Sequence, residues 1–302
     1  MNKLNQIIGC IIGGAIGDGF GSAYEGKILP IAINKNYPWK ISDDTQLTLA
    51  TCEAITKAGK IDPAIIAETF AEWFTASRFS GVGASTLKAL SELAIGGHWA
   101  LVGRKGEMAA GNGAAMRIAP LAFFLDPQDV KSRITIRDVC RITHHNEEAY
   151  VGALAVLIAI KLILDEVWKG DESLIEKIVE HLPDSSVRDR LRIIHEVEKN
   201  SSIAEIAKKY GNSGYVVETI PLVLYAVEQI NKLGFEKLLE ELISVGGDTD
   251  TNASIAGQIL GTLIGYENFP SEMIARIPDF EMIFCAATKF AEAAGNVELM
   301  EK

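Results

Sequence analysis

Hydrophobic positions along this 302-residue chain recur mainly with a helical period. Apolar residues three and four apart predict helices over residues 44–58, 63–76, 84–95, 112–125, 145–167, 186–199, 203–210, 215–232, 252–265 and 279–293. Several ends carry their own signals. Asp62-Pro63 supplies a cap and a first-turn proline, Ser202 with Glu205 reads as a capping box, and Gly295 marks a stop. No run alternates convincingly as a strand, and no Pro/Ser-rich linker or shift of composition divides the chain. The expectation is an all-α protein, one compact domain over residues 1–302, with its site built from helix ends and loops.

Small residues add a packing constraint. Gly9, Gly13, Gly17 and Gly21 recur every four residues, as do Ala253, Gly257, Gly261 and Gly265. On helices each set forms one face that permits close backbone approach, and the two faces are expected to pack together. Glycine costs up to about 1 kcal/mol per helical position, so a whole stripe implies a packing reason. That contact would bring Glu25, just past the first helix, near Asp248 and Asp250. The Gly-x-Gly-x-Gly run at 17–21 follows no strand, which argues against a dinucleotide loop.

Composition narrows the function classes. With 48% hydrophobic residues the chain can build a substantial core, and a net charge of −11 argues against an extended nucleic-acid surface. An anionic substrate would need metal ions or a helix N-terminus to help it bind. Cys10, Cys52, Cys140 and Cys285 are widely spaced among apolar neighbours and read as reduced core cysteines, which fits the cytoplasm. The apolar run 7–16 has weak signal-peptide flanks, and the run 151–160 is too short to span a bilayer, so neither secretion nor a membrane segment is expected.

The sharpest chemical feature is a pair of acidic clusters about two hundred residues apart. Ser42-Asp43-Asp44-Thr45 and Gly246-Gly247-Asp248-Thr249-Asp250-Thr251 crowd carboxylates and hydroxyls that should repel one another. Either alone could start a helix, but capping needs one short polar side chain and gains nothing from a second adjacent carboxylate. Hard divalent cations prefer oxygen ligands, and a carboxylate can bridge two ions about 4 Å apart. The clusters therefore read as two halves of one dinuclear site. No His/Cys spacing supports zinc, and no nucleophile context frames a Ser-His-Asp triad.

Five motifs occur in a telling order: Gly-Asp-x-x-Gly-Ser-x-Tyr-Glu at 17–25, Ser-Asp-Asp-Thr at 42–45, Gly-Asn-Gly-Ala-Ala-Met-Arg at 111–117, Thr-His at 143–144 and Gly-Gly-Asp-Thr-Asp-Thr-Asn at 246–252. In this order, over nearly the whole chain, the sequence resembles the ADP-ribosylglycohydrolases. The resemblance implies a compact orthogonal multi-helix fold and two Mg²⁺ or Mn²⁺ ions. It also implies hydrolysis of the N- or O-glycosidic bond at the distal ribose of ADP-ribose, with an ADP-ribosylated protein or small molecule as substrate. A monomer is the expectation.

Carried over residue by residue, the metal ligands fall on Ser42, Asp43, Asp44, Asp248, Asp250 and Thr251. Ser42 replaces the family's usual threonine. Thr45 and Thr249 are read as supporting or capping residues. Glu25 is the acid expected closest to the scissile bond, to orient the ribose or protonate the leaving group. Asp18 is a weaker candidate, read as capping a helix end or bonding the turn that holds Glu25. Gly111, Asn112 and Gly113 are expected to hold the diphosphate with backbone N–H groups and the Asn112 amide, and His144 to face the distal ribose. Arg117 is read as making a buried structural pair, and His145 as a polar, solvent-facing residue at a helix start. Ala109 and Ala110 stand where relatives often carry hydroxyls.

The segment 78–86 lacks the aspartate that arginine-linked relatives tend to carry before the glycine matching Gly81, so it looks nearer the serine-linkage branch. Two alternatives use the same features: a non-catalytic ADP-ribose binder, and a metal phosphohydrolase acting on the diphosphate.

Overall fold

The computed structural model describes residues 1–27, 31–198 and 200–300, residues 296–300 by backbone alone. Its helices are α1 (Lys3–Ser22), α2 (Asp43–Ala58), α3 (Pro63–Thr75), α4 (Ala84–Ala94), α5 (Val130–Arg141), α6 (Glu147–Leu164), α7 (Leu174–Val179) and α8 (Ser186–Val197). They continue with α9 (Ile203–Tyr210), α10 (Val216–Val227), α11 (Ile230–Leu233), α12 (Phe235–Ser244), α13 (Thr249–Ile264), α14 (Ser271–Ile274) and α15 (Phe280–Met300). The all-α expectation holds. The strands among the described residues are two two-residue pieces, β1 (Arg104–Lys105) and β2 (His144–His145), which pair in parallel.

Most predicted helices appear with shifted ends, and the larger differences have physical causes. The stretch 112–125 is not an α-helix but two 3₁₀ segments, Asn112–Arg117 and Ala119–Phe123. Pro120 lacks an N–H and disfavours α geometry in the residue before it, which splits the run. The predicted helix 186–199 ends at Val197, and position 199 lies outside the described residues. Gly295 does not stop α15, which continues to Met300. The structure adds α5, α7, α12 and α14 to the predicted spans, along with α1, which the glycine stripe alone implied. Of these, α12 buries Phe235, Leu238, Leu239, Leu242 and Ile243 at helical spacing, but it is only ten residues long and has no capping side chain.

The core is organised around helices buried on all sides. α1 is buried continuously from Ile7 to Gly21, α13 from Thr249 to Thr262 and α6 from Ala149 to Ile160. The two small-residue stripes pack against each other. A Cβ at Gly9, Gly13, Gly17 or Gly21 would lie 2.3, 2.2, 2.0 or 2.2 Å from the carbonyl oxygen of Gly261, Gly257, Ala253 or Thr249 respectively. No larger residue fits there without moving backbone. This backbone contact sets the end of α1 against the start of α13, where the site lies. Cys10, Cys52 and Cys140 are buried, whereas Cys285 is exposed on α15 and is not a core cysteine. No described helix is long and apolar enough to cross a membrane.

Candidate active site

Two helix starts and one helix end converge. Ser42 caps α2, accepting from the Asp44 amide at 3.3 Å, so Asp43 and Asp44 occupy the first turn. At the other cluster Gly246 and Gly247 both adopt positive φ, and a Cβ on Gly247 would lie 2.2 Å from the Asn212 carbonyl oxygen. Only glycine makes this turn, and it delivers Asp248 to the start of α13 with its amide donating to Asn212 O at 3.0 Å. Thr251 Oγ1 lies 3.2 Å from Asp44 Oδ2, which joins the clusters directly. Thr249 Oγ1 donates to Gly21 O at 2.9 Å and ties the end of α1 to the start of α13.

Asp18, fully buried on α1, is the hub beneath the first cluster. It accepts from the backbone N–H and hydroxyl of Ser42 and from the backbone N–H and hydroxyl of Thr45. It therefore caps the start of α2 and does not reach the turn around Glu25. One oxygen from each of Asp18, Asp44 and Asp250 lies within 4.8 Å of the others.

This crowding raises the acids' pKa values. Burial first, with hydrogen bonds from Thr45 and Ser42 opposing it, pushes Asp18 up to about 6. Burial and then the charge of Asp18 push Asp43 up to about 7. Asp44 is held well above the carboxylate range by burial and then by Asp250. Asp250 rises to about 9 through burial and a hydrogen bond with Asp248. Asp44 Oδ1 is buried without a hydrogen-bond partner among the described residues. Clustered carboxylates, two hydroxyls and an orphaned buried oxygen form the donor set of a hard divalent cation. The residues present fit such an ion.

Together with residues from other loops, the acids line a cleft of about 520 Å³. Asp43, Asp44, Asp248, Asp250 and Thr251 line it, together with Gly111, Asn112, Gly113 and His144. Glu25 stands at the rim. Buried Tyr24 anchors its turn by exchanging hydrogen bonds between its hydroxyl and the Asn34 backbone, and the Tyr24 amide donates to Gly21 O at 2.8 Å. Partial burial and then the charge of Asp248 raise the pKa of Glu25. Gly81, at φ 78°, packs beside Ser42 and Asp43, and a Cβ there would lie 3.6 Å from Ser42 Cβ, in ordinary contact.

The segment around Asn112 differs from its sequence reading. The Asn112 side-chain amide donates to Asp248 Oδ2 at 2.7 Å and to Thr219 Oγ1 at 3.0 Å, so both its N–H groups are taken. Its backbone N–H is also taken, by Gly214 O at 3.0 Å. Asn112 thus holds Asp248 in place and has no donor left for a phosphate. Gly111 and Gly113 instead make room for the His144 ring: a Cβ on Gly113 would lie 2.8 Å from His144 Cε1. His144 is buried, and burial followed by the charge of Arg117 pushes its pKa down to about 3. His145 is half-buried, with Nε2 2.7 Å from Val102 O, and is not surface decoration. Arg117 is fully buried and bonds Val139 O and Thr143 Oγ1.

Sequence reasoning passed over Asn212, Ser213 and Gly214, although this loop clamps Asp248 and lines the cleft. The Gly-Asn-Ser-Gly turn between two helices was the available signal.

A sequence model of the ADP-ribosylglycohydrolase family matches residues 1–299. The chain is 27% identical to an ADP-ribosylarginine hydrolase Tri1 of Pseudomonas putida, over 99% of this chain and 81% of that protein. It is 24% identical to an ADP-ribosylhydrolase ARH3 of Gallus gallus, over 87% of this chain and 86% of that one. Among solved structures, an ADP-ribosylglycohydrolase-related protein complex superposes with a TM-score of 0.75 and 22% identity, covering 97% of this chain and 99% of that one. That likeness speaks to the fold.

Proposed function

The chain belongs to the ADP-ribosylglycohydrolase family, hydrolases of glycosyl bonds, and from that premise we propose that it cleaves the bond between the distal ribose of ADP-ribose and an acceptor side chain, releasing ADP-ribose. The observation that carries this reading is the meeting of both acidic clusters and Glu25 in one cleft, with a buried Asp44 oxygen left unpartnered. Two Mg²⁺ or Mn²⁺ ions would be held by Ser42, Asp43, Asp44, Asp248, Asp250 and Thr251, and when bound would supply activation of water and polarisation of the ribose oxygens.

The chain's own residues do the rest. Glu25 lies beside Asp248 but outside the close triad of Asp18, Asp44 and Asp250, and its raised pKa suits it to hold a proton for the departing acceptor oxygen. Asn112 keeps Asp248 oriented. No lysine or arginine lines the cleft among the described residues, so the diphosphate depends on cations and neutral donors for its binding. On the leaving-group side the loop at Gly81 and Gly83 brings no carboxylate to pair with a guanidinium. This favours an O-linked acceptor such as serine over arginine.

Incubating the Mg²⁺- or Mn²⁺-loaded protein with serine- and arginine-ADP-ribosylated peptides and identifying products by mass spectrometry tests the reading. Free ADP-ribose and the unmodified serine peptide are expected. Binding without release would make the protein a binder, and AMP or phosphate would make it a phosphohydrolase.

A further inference from the structure

We propose that Arg117, acting through the Thr143 hydroxyl, fixes His144 in the tautomer that carries its proton on Nε2, so that His144 offers the cleft an uncharged hydrogen-bond donor. The relay is short and buried. Arg117 Nη2 donates to Thr143 Oγ1 at 2.9 Å, and the same oxygen lies 2.7 Å from His144 Nδ1. Arg117 and Thr143 are fully inaccessible to solvent. These are the two hydrogen-bond partners of Thr143 Oγ1 among the described residues.

Donor and acceptor counting sets the direction. A guanidinium can only donate, so one lone pair of Thr143 Oγ1 is committed to Arg117. The hydroxyl proton then has His144 Nδ1 as its acceptor. In the opposite arrangement an Nδ1–H would point at an oxygen already receiving Arg117, and the buried hydroxyl proton would have no acceptor, an arrangement that costs free energy. With Nδ1 accepting, the neutral ring carries its hydrogen on Nε2.

That nitrogen faces the ligand wall. A Cβ on Gly111 would lie 3.2 Å from His144 Nε2, and His144 lines the cleft beside Gly111 and Gly113. β2 holds its backbone in register with Arg104 of β1. Arg117 has no carboxylate partner among the described residues, so its positive charge stays close to the imidazole and disfavours a second ring proton. His144 therefore donates to an acceptor oxygen of the ligand and does not shuttle protons. Arg117 and Thr143 are positioning residues. The inference rests on the proposed function only for the identity of that ligand, since the tautomer is set without one.

The test reads the tautomer directly in the metal-loaded full chain, by long-range ¹H–¹⁵N spectra of histidine-labelled protein from about pH 5.5 to 8.5. His144→Gln identifies the His144 signals among those of the five histidines. A protonated Nε2 and an unprotonated Nδ1, unchanged over this range, are expected. A proton on Nδ1, or titration within the range, would overturn the proposal. Thr143→Val should release the tautomer and weaken ADP-ribose binding by about tenfold, the scale of one hydrogen bond, while Thr143→Ser restores both. An unchanged Nε2–H signal in folded Thr143→Val would remove the relay. If Thr143→Val does not fold, the wild-type and Thr143→Ser spectra decide. Absence of ADP-ribose binding with the expected tautomer would count against the proposed function and leave the relay standing.

Discussion

Asp18 takes the hydroxyl proton of Ser42 at 2.7 Å, across the contact between α1 and α2. A hydroxyl has one proton to give, and Asp18 is its nearer acceptor, Asp44 Oδ2 lying at 3.1 Å, so the Ser42 lone pairs are left to the Asp44 amide and to any cation the site holds. Asp18 thus does more than cap α2: as the nearer acceptor it draws the Ser42 hydroxyl proton away from Asp44.

Replacing Asp18 by asparagine puts an NH₂ group among donors. Hydrogen bonds to a charged group are worth about 1.5–3 kcal/mol, so Asp18→Asn should cost about 3 kcal/mol of stability and weaken divalent metal affinity at least tenfold. Urea unfolding and calorimetric Mn²⁺ titration measure the two effects. Unchanged Mn²⁺ affinity would show that Ser42 needs no such orientation.

The glycine stripe should be intolerant of a single methyl group. A Cβ at Gly13 would sit 2.2 Å from Gly257 O, a backbone atom that cannot swing away. Gly13→Ala is expected to destabilise by about 3 kcal/mol, the upper part of the overpacking range. Gly26→Ala is the internal comparison: it meets nothing within 4 Å among the described residues, so its cost comes from positive φ and should be smaller. Equal losses in thermal unfolding would argue against the close α1–α13 contact.

The metal-free site should be weakened by alkali. Unfolded aspartates titrate near about 4, whereas in the fold Asp18, Asp43 and Asp250 are raised to about 6, 7 and 9. Between these values the folded state holds protons that the unfolded state has lost. The stability these groups contribute is therefore whole below about pH 4 and is lost as pH rises through the folded values. After EDTA treatment the Tm should fall between about pH 5.5 and 8.5, and added Mg²⁺ or Mn²⁺ should raise it more at the higher pH. A Tm that ignores both metal and pH would refute the electrostatic account.

Glu25 and the clustered acids should separate in their effects. Glu25→Gln keeps the shape but loses the titrating proton, and turnover should drop about 10²- to 10⁴-fold while metal content and ADP-ribose affinity hold. Near-normal turnover would leave Glu25 a rim carboxylate. Loss of metal would make it a ligand.

Much of this arrangement was legible because it is local. Helical period, the two glycine stripes and the two acidic clusters are each written within about twenty residues, and the stripe register alone brings Glu25 toward Asp248 and Asp250. What escaped depends on packing between distant segments. Asn112 turns its amide to Asp248 because the loop 212–214 closes on it. The link from Arg117 to His144 exists only once Asn112–Arg117 meets the end of α5. The 3₁₀ geometry around Pro120 was locally signalled, but the apolar spacing of 112–125 imitates a helix.

The central claim is that residues 42–44 and 248–251 form a single cation centre that drives hydrolysis. Mn²⁺ binding and turnover of an ADP-ribosylated serine peptide, measured side by side for wild type, Asp44→Asn and Asp250→Asn, test it most directly. Either substitution should weaken Mn²⁺ binding and turnover together, though the residues lie on different helices. Undiminished Mn²⁺ binding with one cluster disabled, or wild-type turnover that survives EDTA, would contradict it.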